Sequence, residues 1–75
     1  MRELRSEIVG DRRVLLVEDD DARYAVCIQV RGPRGAWEDI SLHADQGLEF
    51  HAASRRYQLR LAEQQARILG WKSYT

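Results

Sequence analysis

One stretch near the middle of the chain alternates apolar side chains with smaller or polar ones at every second position. Its apolar members are Tyr24, Val26, Ile28 and Val30. A period of two is typical of a strand that is buried on one face. Acidic residues 18–21 precede the stretch and Gly-Pro-Arg-Gly follows it, and both are turn sequences. We therefore predict a strand over residues 23–31 in a short antiparallel sheet.

Three further strands are predicted from shorter patterns. Residues 14–17 form a continuous apolar run, which favours a central strand over residues 12–18. Gly10-Asp11 is a two-residue hairpin sequence and predicts a first strand over 4–9 with Leu4, Ser6 and Ile8 on one side, although Leu4 and Ile8 also fit a helical spacing. The fourth strand is predicted over 36–43, with Ile40 and Leu42 inward and Trp37 outward.

The pattern becomes helical over residues 52–69, where Ala, Leu, Gln, Glu and Arg dominate, and Gly70 is expected to stop the helix. Tyr57, Leu61 and Ile68 share one side of this helix. A second apolar arc consists of Leu59, Ala62, Ala66 and Leu69. The predicted fold is α+β: an antiparallel meander of three or four strands with one C-terminal helix packed on one face.

Length and composition restrict the possible classes of protein. A chain of 75 residues makes one domain, here residues 1–75, and a domain of this size buries roughly 60% of its unfolded surface. The single cysteine excludes an internal disulfide, so a homodimer is a plausible source of additional burial. No apolar run approaches the ~20 residues that span a bilayer. We therefore expect no membrane contact and a cytoplasmic location.

Charge is balanced overall but unevenly distributed. The formal net charge is zero, which disfavours a dedicated nucleic-acid binder. Residues 1–50 hold 7 basic and 11 acidic side chains, whereas residues 51–75 hold 5 basic and 1 acidic. The C-terminal part is therefore the more basic one.

Residues 13–20 resemble the first strand of a response-regulator receiver domain, in which acidic residues at the strand end hold a magnesium ion. A receiver needs a helix directly after these acids and a later lysine, whereas here a strand pattern follows and Lys72 is the only lysine. The chain is also too short for a doubly wound sheet. We therefore interpret acidic residues 18–21 as a solvated hairpin turn.

No residue pattern indicates catalysis. Four side chains that can bind metals lie within nine residues, namely His43, Asp45, Glu49 and His51, but their spacing matches no established metal site. Cys27 lies within a strand and is expected to pack as a small apolar residue. We find no catalytic triad and no phosphate-binding loop. We therefore expect a non-enzymatic protein without metal or cofactor.

The most plausible binding surface is the basic side of the helix. Its candidate residues are Arg56, Arg60, Arg67, Trp71 and Lys72. Guanidinium groups can contact phosphates or an acidic protein surface, and tryptophan can anchor an interface or stack on a base. Charged residues also occupy the outer side of any amphipathic helix, so this pattern alone does not establish binding.

Two functions remain. The favoured one is a small protein-interaction or regulatory module that binds another protein or itself as a homodimer. The alternative is a small nucleic-acid-binding domain, because a three-stranded sheet on a C-terminal helix resembles the layout of the small DNA-binding domains of some phage-type integrases. That layout implies that the sheet enters the groove, so that Arg23, Arg31 and Arg34 contact nucleic acid.

Overall fold

The predicted α+β fold is confirmed. A computed structural model of the protein describes the backbone of residues 1–73 and the side chains of residues 1–70. Within that range the elements are β1 (Arg2–Val9), β2 (Arg12–Glu18), β3 (Tyr24–Arg31), β4 (Trp37–Asp39), a 3-10 turn (His43–Asp45) and α1 (Phe50–Ser73). The strands form one antiparallel sheet in the order β1-β2-β3-β4, with β2 and β3 at its centre.

The first hairpin turns at Gly10, which has a φ of 63°, so that Val9 pairs with Arg12 across a two-residue loop. This confirms the strand interpretation of the N-terminal segment. A bulge between Glu3 and Arg5 interrupts the register, and Leu4 packs against the core on the helix side of the sheet. The prediction that Leu4 and Ile8 share one side is therefore wrong, and Ile8 is 61% exposed.

The acidic turn between β2 and β3 is stabilised by hydrogen bonds to the side chain of one of its own residues. The carboxylate of Asp19 accepts hydrogen bonds from the backbone N–H groups of Asp21 (2.9 Å) and Arg23 (3.0 Å). Ala22 adopts a left-handed φ of 58°, and β3 then begins at Tyr24. The predicted hairpin turn is confirmed, and a receiver domain is excluded because a strand follows the acids.

Strand β4 is shorter than predicted and ends at Asp39 instead of residue 43. Beyond it, the Ile40 N–H still donates to the Ile28 carbonyl (2.8 Å), whereas the Ile28 N–H donates to the Ser41 hydroxyl (2.9 Å) in place of a backbone carbonyl. The predicted inward residues Ile40 and Leu42 are 40% and 44% exposed. The chain returns to the sheet edge at Leu48, which forms a bridge with Tyr24.

Helix α1 is longer than predicted at both ends. At its start, the Glu49 carboxylate accepts a hydrogen bond from the Ala52 backbone N–H (3.2 Å) and caps the first turn. The helix continues through Gly70 to Ser73, so the prediction that Gly70 stops it is wrong. A glycine costs an exposed helix about 1 kcal/mol relative to alanine, which is too little to end a helix unaided.

The core lies between α1 and one face of the sheet. Ala53, Tyr57 and Leu61 of the helix pack on a sheet surface formed by Val14, Leu16 and Val26. A second cluster of Leu15, Val17 and Ala25, with Cys27 beside it, lies on the opposite face. The continuous apolar run of β2 thus contributes to both clusters, as expected for a central strand.

Candidate interaction surfaces

The predicted basic side of the helix is engaged in ion pairs within the molecule. Asp45, in the 3-10 turn, accepts hydrogen bonds from Arg56 (2.7 Å) and from two nitrogens of Arg60 (2.8 and 3.2 Å). Arg60 also pairs with Glu63 at 2.8 Å. Two of the five predicted binding residues therefore tie the 3-10 turn to the helix.

Asp45 is buried completely, with 0% of the residue exposed. Burial alone raises the pKa of a carboxyl group, but the hydrogen bonds from Arg60 and Arg56 outweigh it and hold the pKa of Asp45 below its ordinary 3.8. The hydrogen bond to Asp45, and after it the hydrogen bond to Glu63, raise the pKa of Arg60 above its usual range. This cluster is an internal charge network, which stabilises the position of the turn.

The third predicted arginine, Arg67, lies 3.2 Å from the carboxylate of Asp11, in an exposed pair between the helix and the first hairpin. Arg60 and Arg67 also line an open groove of mixed polarity, together with Ile40 and Leu42. Trp71 and Lys72 lie outside the residues whose side chains are described. A binding role for these five residues therefore stays a prediction.

The four potential metal ligands have other contacts or stand apart. Asp45 binds two arginines and Glu49 caps the helix. Within the described part of the chain, no group of three or more His, Cys, Asp or Glu side chains is arranged to hold a metal ion.

Burial, which is the largest cause, raises the pKa of the Cys27 thiol, and this disfavours the reactive thiolate.

The outer side of α1 carries an apolar stripe that nothing in the described chain covers. We call the residues Leu59, Ala62, Ala66 and Leu69 the outer stripe. At 100° per residue, Leu59 and Ala66 lie about 180–200° from Tyr57, which is the centre of the buried side. Leu59 is 50% and Leu69 67% exposed, and both alanines are exposed as well. Their spacing of three, four and three residues is that of one seam of a helix pair.

The sheet face opposite the helix carries a second cluster, which is partly exposed. The guanidinium carbons of Arg13 and Arg31 lie 4.8 and 4.9 Å from the ring centroid of Trp37. Gln29 accepts two hydrogen bonds from Arg13, at 2.9 and 2.5 Å, and so fixes its orientation. We call Arg13, Arg31 and Trp37 the tryptophan platform. Neither guanidinium lies within ion-pair distance of a carboxylate of the described residues.

The chain matches no protein-family model, no curated protein and no solved structure. No helix within the described residues is long and apolar enough to cross a membrane.

Sequence reasoning missed two features of these surfaces. Asp45 appeared as a possible metal ligand, whereas it is the buried partner of two arginines. Arg13 was not recognised as a neighbour of Trp37, although Arg13 pairs with Gln29 and Arg31 with Trp37 in the sheet. The signal that would have found the platform is the strand register, since residues on three adjacent strands must lie on the same face.

Proposed function

We propose that this protein is a small non-enzymatic protein-interaction module that binds a second copy of itself. The observation that carries the proposal is the outer stripe, an apolar seam on a helix whose opposite side already covers the sheet. Water contact with this seam is unfavourable, and a second helix laid along it would remove that contact. The two central alanines permit the close approach of two helices, with leucines at either end filling the remaining space.

The stripe is self-complementary when two helices run antiparallel about a twofold axis. In that arrangement Leu59 of one copy lies near Leu69 of the other, and the alanines meet at the centre. A chain of 75 residues gains proportionally more from such burial than a larger domain, because its own core is small. The proposal therefore accounts for an exposed seam that the fold alone does not require.

Light scattering across a concentration series tests the proposal. We expect the wild type to form a symmetric dimer at micromolar concentration. Leu59→Glu and Leu69→Glu should each lower the average mass, because both place a charge in the seam. Since both leucines are exposed and neither belongs to the core cluster, the two variants should behave alike. Gln46→Glu, which adds the same charge outside the helix, is the control. A wild type that stays monomeric throughout the series would refute the proposal.

Nucleic-acid binding is the second candidate, and the tryptophan platform is the observation that favours it. Arginine and tryptophan on an open sheet face can contact phosphates and stack on a base. However, Glu3 and Asp39 lie on the same face by register, and Arg56, Arg60 and Arg67 are paired with carboxylates. These charges reduce the attraction for phosphate, so protein interaction remains the favoured proposal.

Fluorescence anisotropy with labelled DNA and RNA distinguishes the two candidates. We expect no measurable binding to generic sequences at physiological salt. Low-micromolar affinity that falls steeply with salt, and that Trp37→Ala and Arg31→Glu weaken, would reverse the ranking. Arg55→Glu, an exposed charge reversal on the helix, is the matched control for a change in net charge alone.

A further inference from the structure

Strand β1 is a long, open edge of the sheet. It has eight residues and pairs with β2 on one side only, whereas the strand at the opposite edge, β4, has three. Most of its side chains are exposed, including Arg5, Ser6 and Glu7. An edge of this length offers unpaired backbone donors and acceptors to another strand.

The backbone groups that point outward from β1 can be identified from the alternation of the antiparallel pairs. The Arg31 N–H donates to the Asp11 carbonyl (2.8 Å), so odd-numbered residues at the start of β2 direct their backbone groups toward β3. Even-numbered residues of β2 then face β1, where their partners are residues 5, 7 and 9. The backbone groups of Ser6 and Ile8 consequently point away from the sheet.

The side chains around Ser6 carry opposite charges in a symmetric arrangement. Arg5 and Glu7 flank it, and both project from the helix side of the sheet because their partners Leu16 and Val14 do. Within the described residues, neither has an ion-pair partner in its own chain. The Arg5 guanidinium lies 5.4 Å from the centroid of the buried Tyr57 ring, which restricts its position before any partner binds.

We propose that β1 pairs with β1 of a second copy in one antiparallel register, in which Ser6 lies opposite the partner's Ser6. That register places Arg5 opposite the partner's Glu7 and Glu7 opposite the partner's Arg5. Because the Ser6 backbone groups point outward, Ser6 forms the hydrogen-bonded pair. The flanking charges then occupy non-hydrogen-bonded positions, where Cα atoms approach to about 4.5 Å. The product is a continuous eight-stranded sheet.

Two features limit the pairing at this edge to two copies of the chain. The contact is isologous, since each copy presents the same segment, and it uses up the long edge of both. The bulge between Glu3 and Arg5 interrupts the regular edge and confines the pairing to the residues around Ser6. The inference rests on the proposed self-association and identifies a contact with the second copy that is separate from the outer stripe.

A charge exchange tests this register in a chain that carries Leu59→Gln and Leu69→Gln, so that the outer stripe contributes little. In this background we expect dimers at high protein concentration. R5E alone and E7R alone should each weaken dimerisation about tenfold or more, because each creates two like-charge contacts. The double variant R5E/E7R should restore it, since both pairs are then reversed together. Circular dichroism checks that every variant is folded.

Mixing the two single variants provides the second readout. R5E opposite E7R re-forms both ion pairs, so native mass spectrometry should show heterodimers well above the statistical half of all dimers. Equal weakening without recovery in the double variant, or statistical mixing, would overturn the edge register and leave the outer-stripe proposal intact. A background that is monomeric while the wild type dimerises would do the same. A wild type that is itself monomeric overturns both proposals.

Discussion

Helix α1 carries leucine and alanine on two opposite sides, and only one of these sides is buried. On the inner side, Ala53 is 0% and Leu61 8% exposed, because Val14, Leu16 and Val26 of the sheet lie against them. On the outer side, Leu59 and Leu69 are 50% and 67% exposed. The residue types are the same, so the difference arises from what lies opposite each side.

The comparison shows that an apolar pattern on a helix indicates a surface that gains from burial, but it does not show what buries that surface. The sheet meets that requirement on the inner side. Between the two sides lies a flank of the helix that carries Arg56 and Arg60. Asp45 holds both arginines toward the 3-10 turn. These arginines therefore do not extend over the outer stripe, which stays exposed. In our proposal a second copy of the chain covers it.

The largest expected effect comes from the same substitution made on the two sides. Leu61→Ala should lower the free energy of unfolding by about 3 kcal/mol, because it leaves a cavity between helix and sheet. Leu59→Ala, two residues away, should change it by less than about 0.5 kcal/mol in the monomer. Urea unfolding at a low protein concentration measures both. Equal losses would mean that the outer side is already covered within one chain.

The next effect concerns the flank between the two sides. Asp45→Asn should cost about 2 kcal/mol, since two arginines lose a buried carboxylate but retain partial access to water. Asp11→Asn, which affects only the exposed pair with Arg67, should cost less than about 0.5 kcal/mol. Chemical denaturation of the two variants gives the comparison. Similar losses at both positions would contradict a structural role of the buried cluster.

The same carboxylate should make stability depend on acid pH. The pKa of Asp45 is lowered in the folded state, so its stabilising contribution is fully present above the ordinary value of 3.8 and is lost as the pH falls through the lower folded value. In the wild type, stability should therefore decline below pH 3.8 more steeply than in Asp45→Asn. Parallel curves for the two proteins would show that Asp45 does not carry this dependence.

The smallest effect is expected at Gly70, within the final turn of the helix. A Cβ atom built there meets no atom within 4 Å, and Gly70 does not adopt the left-handed conformation. Gly70→Ala should therefore raise the free energy of unfolding by up to about 1 kcal/mol and leave the outer stripe unchanged. Thermal unfolding followed by circular dichroism measures the gain. A loss of stability would show that the helix end needs glycine.

Much of the architecture follows from local patterns. The alternation of β3, the continuous apolar run of β2 and the Gly10-Asp11 turn predict three adjacent strands, because strand period and turn geometry depend on neighbouring residues. The helical period predicts α1, and the outer arc was recognisable from the same period. Boundaries were less accurate: β4 ends at Asp39, beyond which the Ser41 hydroxyl replaces one backbone acceptor, and α1 continues past Gly70.

The sequence by itself determined the order of the main elements, the type of most of them and the presence of two apolar sides on the helix. Only the tertiary structure decided which charges meet. Arg56 and Arg60 pair with a carboxylate 11 and 15 positions earlier in the chain. Arg13 of β2 contacts Trp37 of β4 across the intervening strand β3. Periodicity specifies which side a residue occupies, but the packing of distant segments selects its partner. For this reason the sequence could not show that Arg56, Arg60 and Arg67 are paired with carboxylates of the same chain.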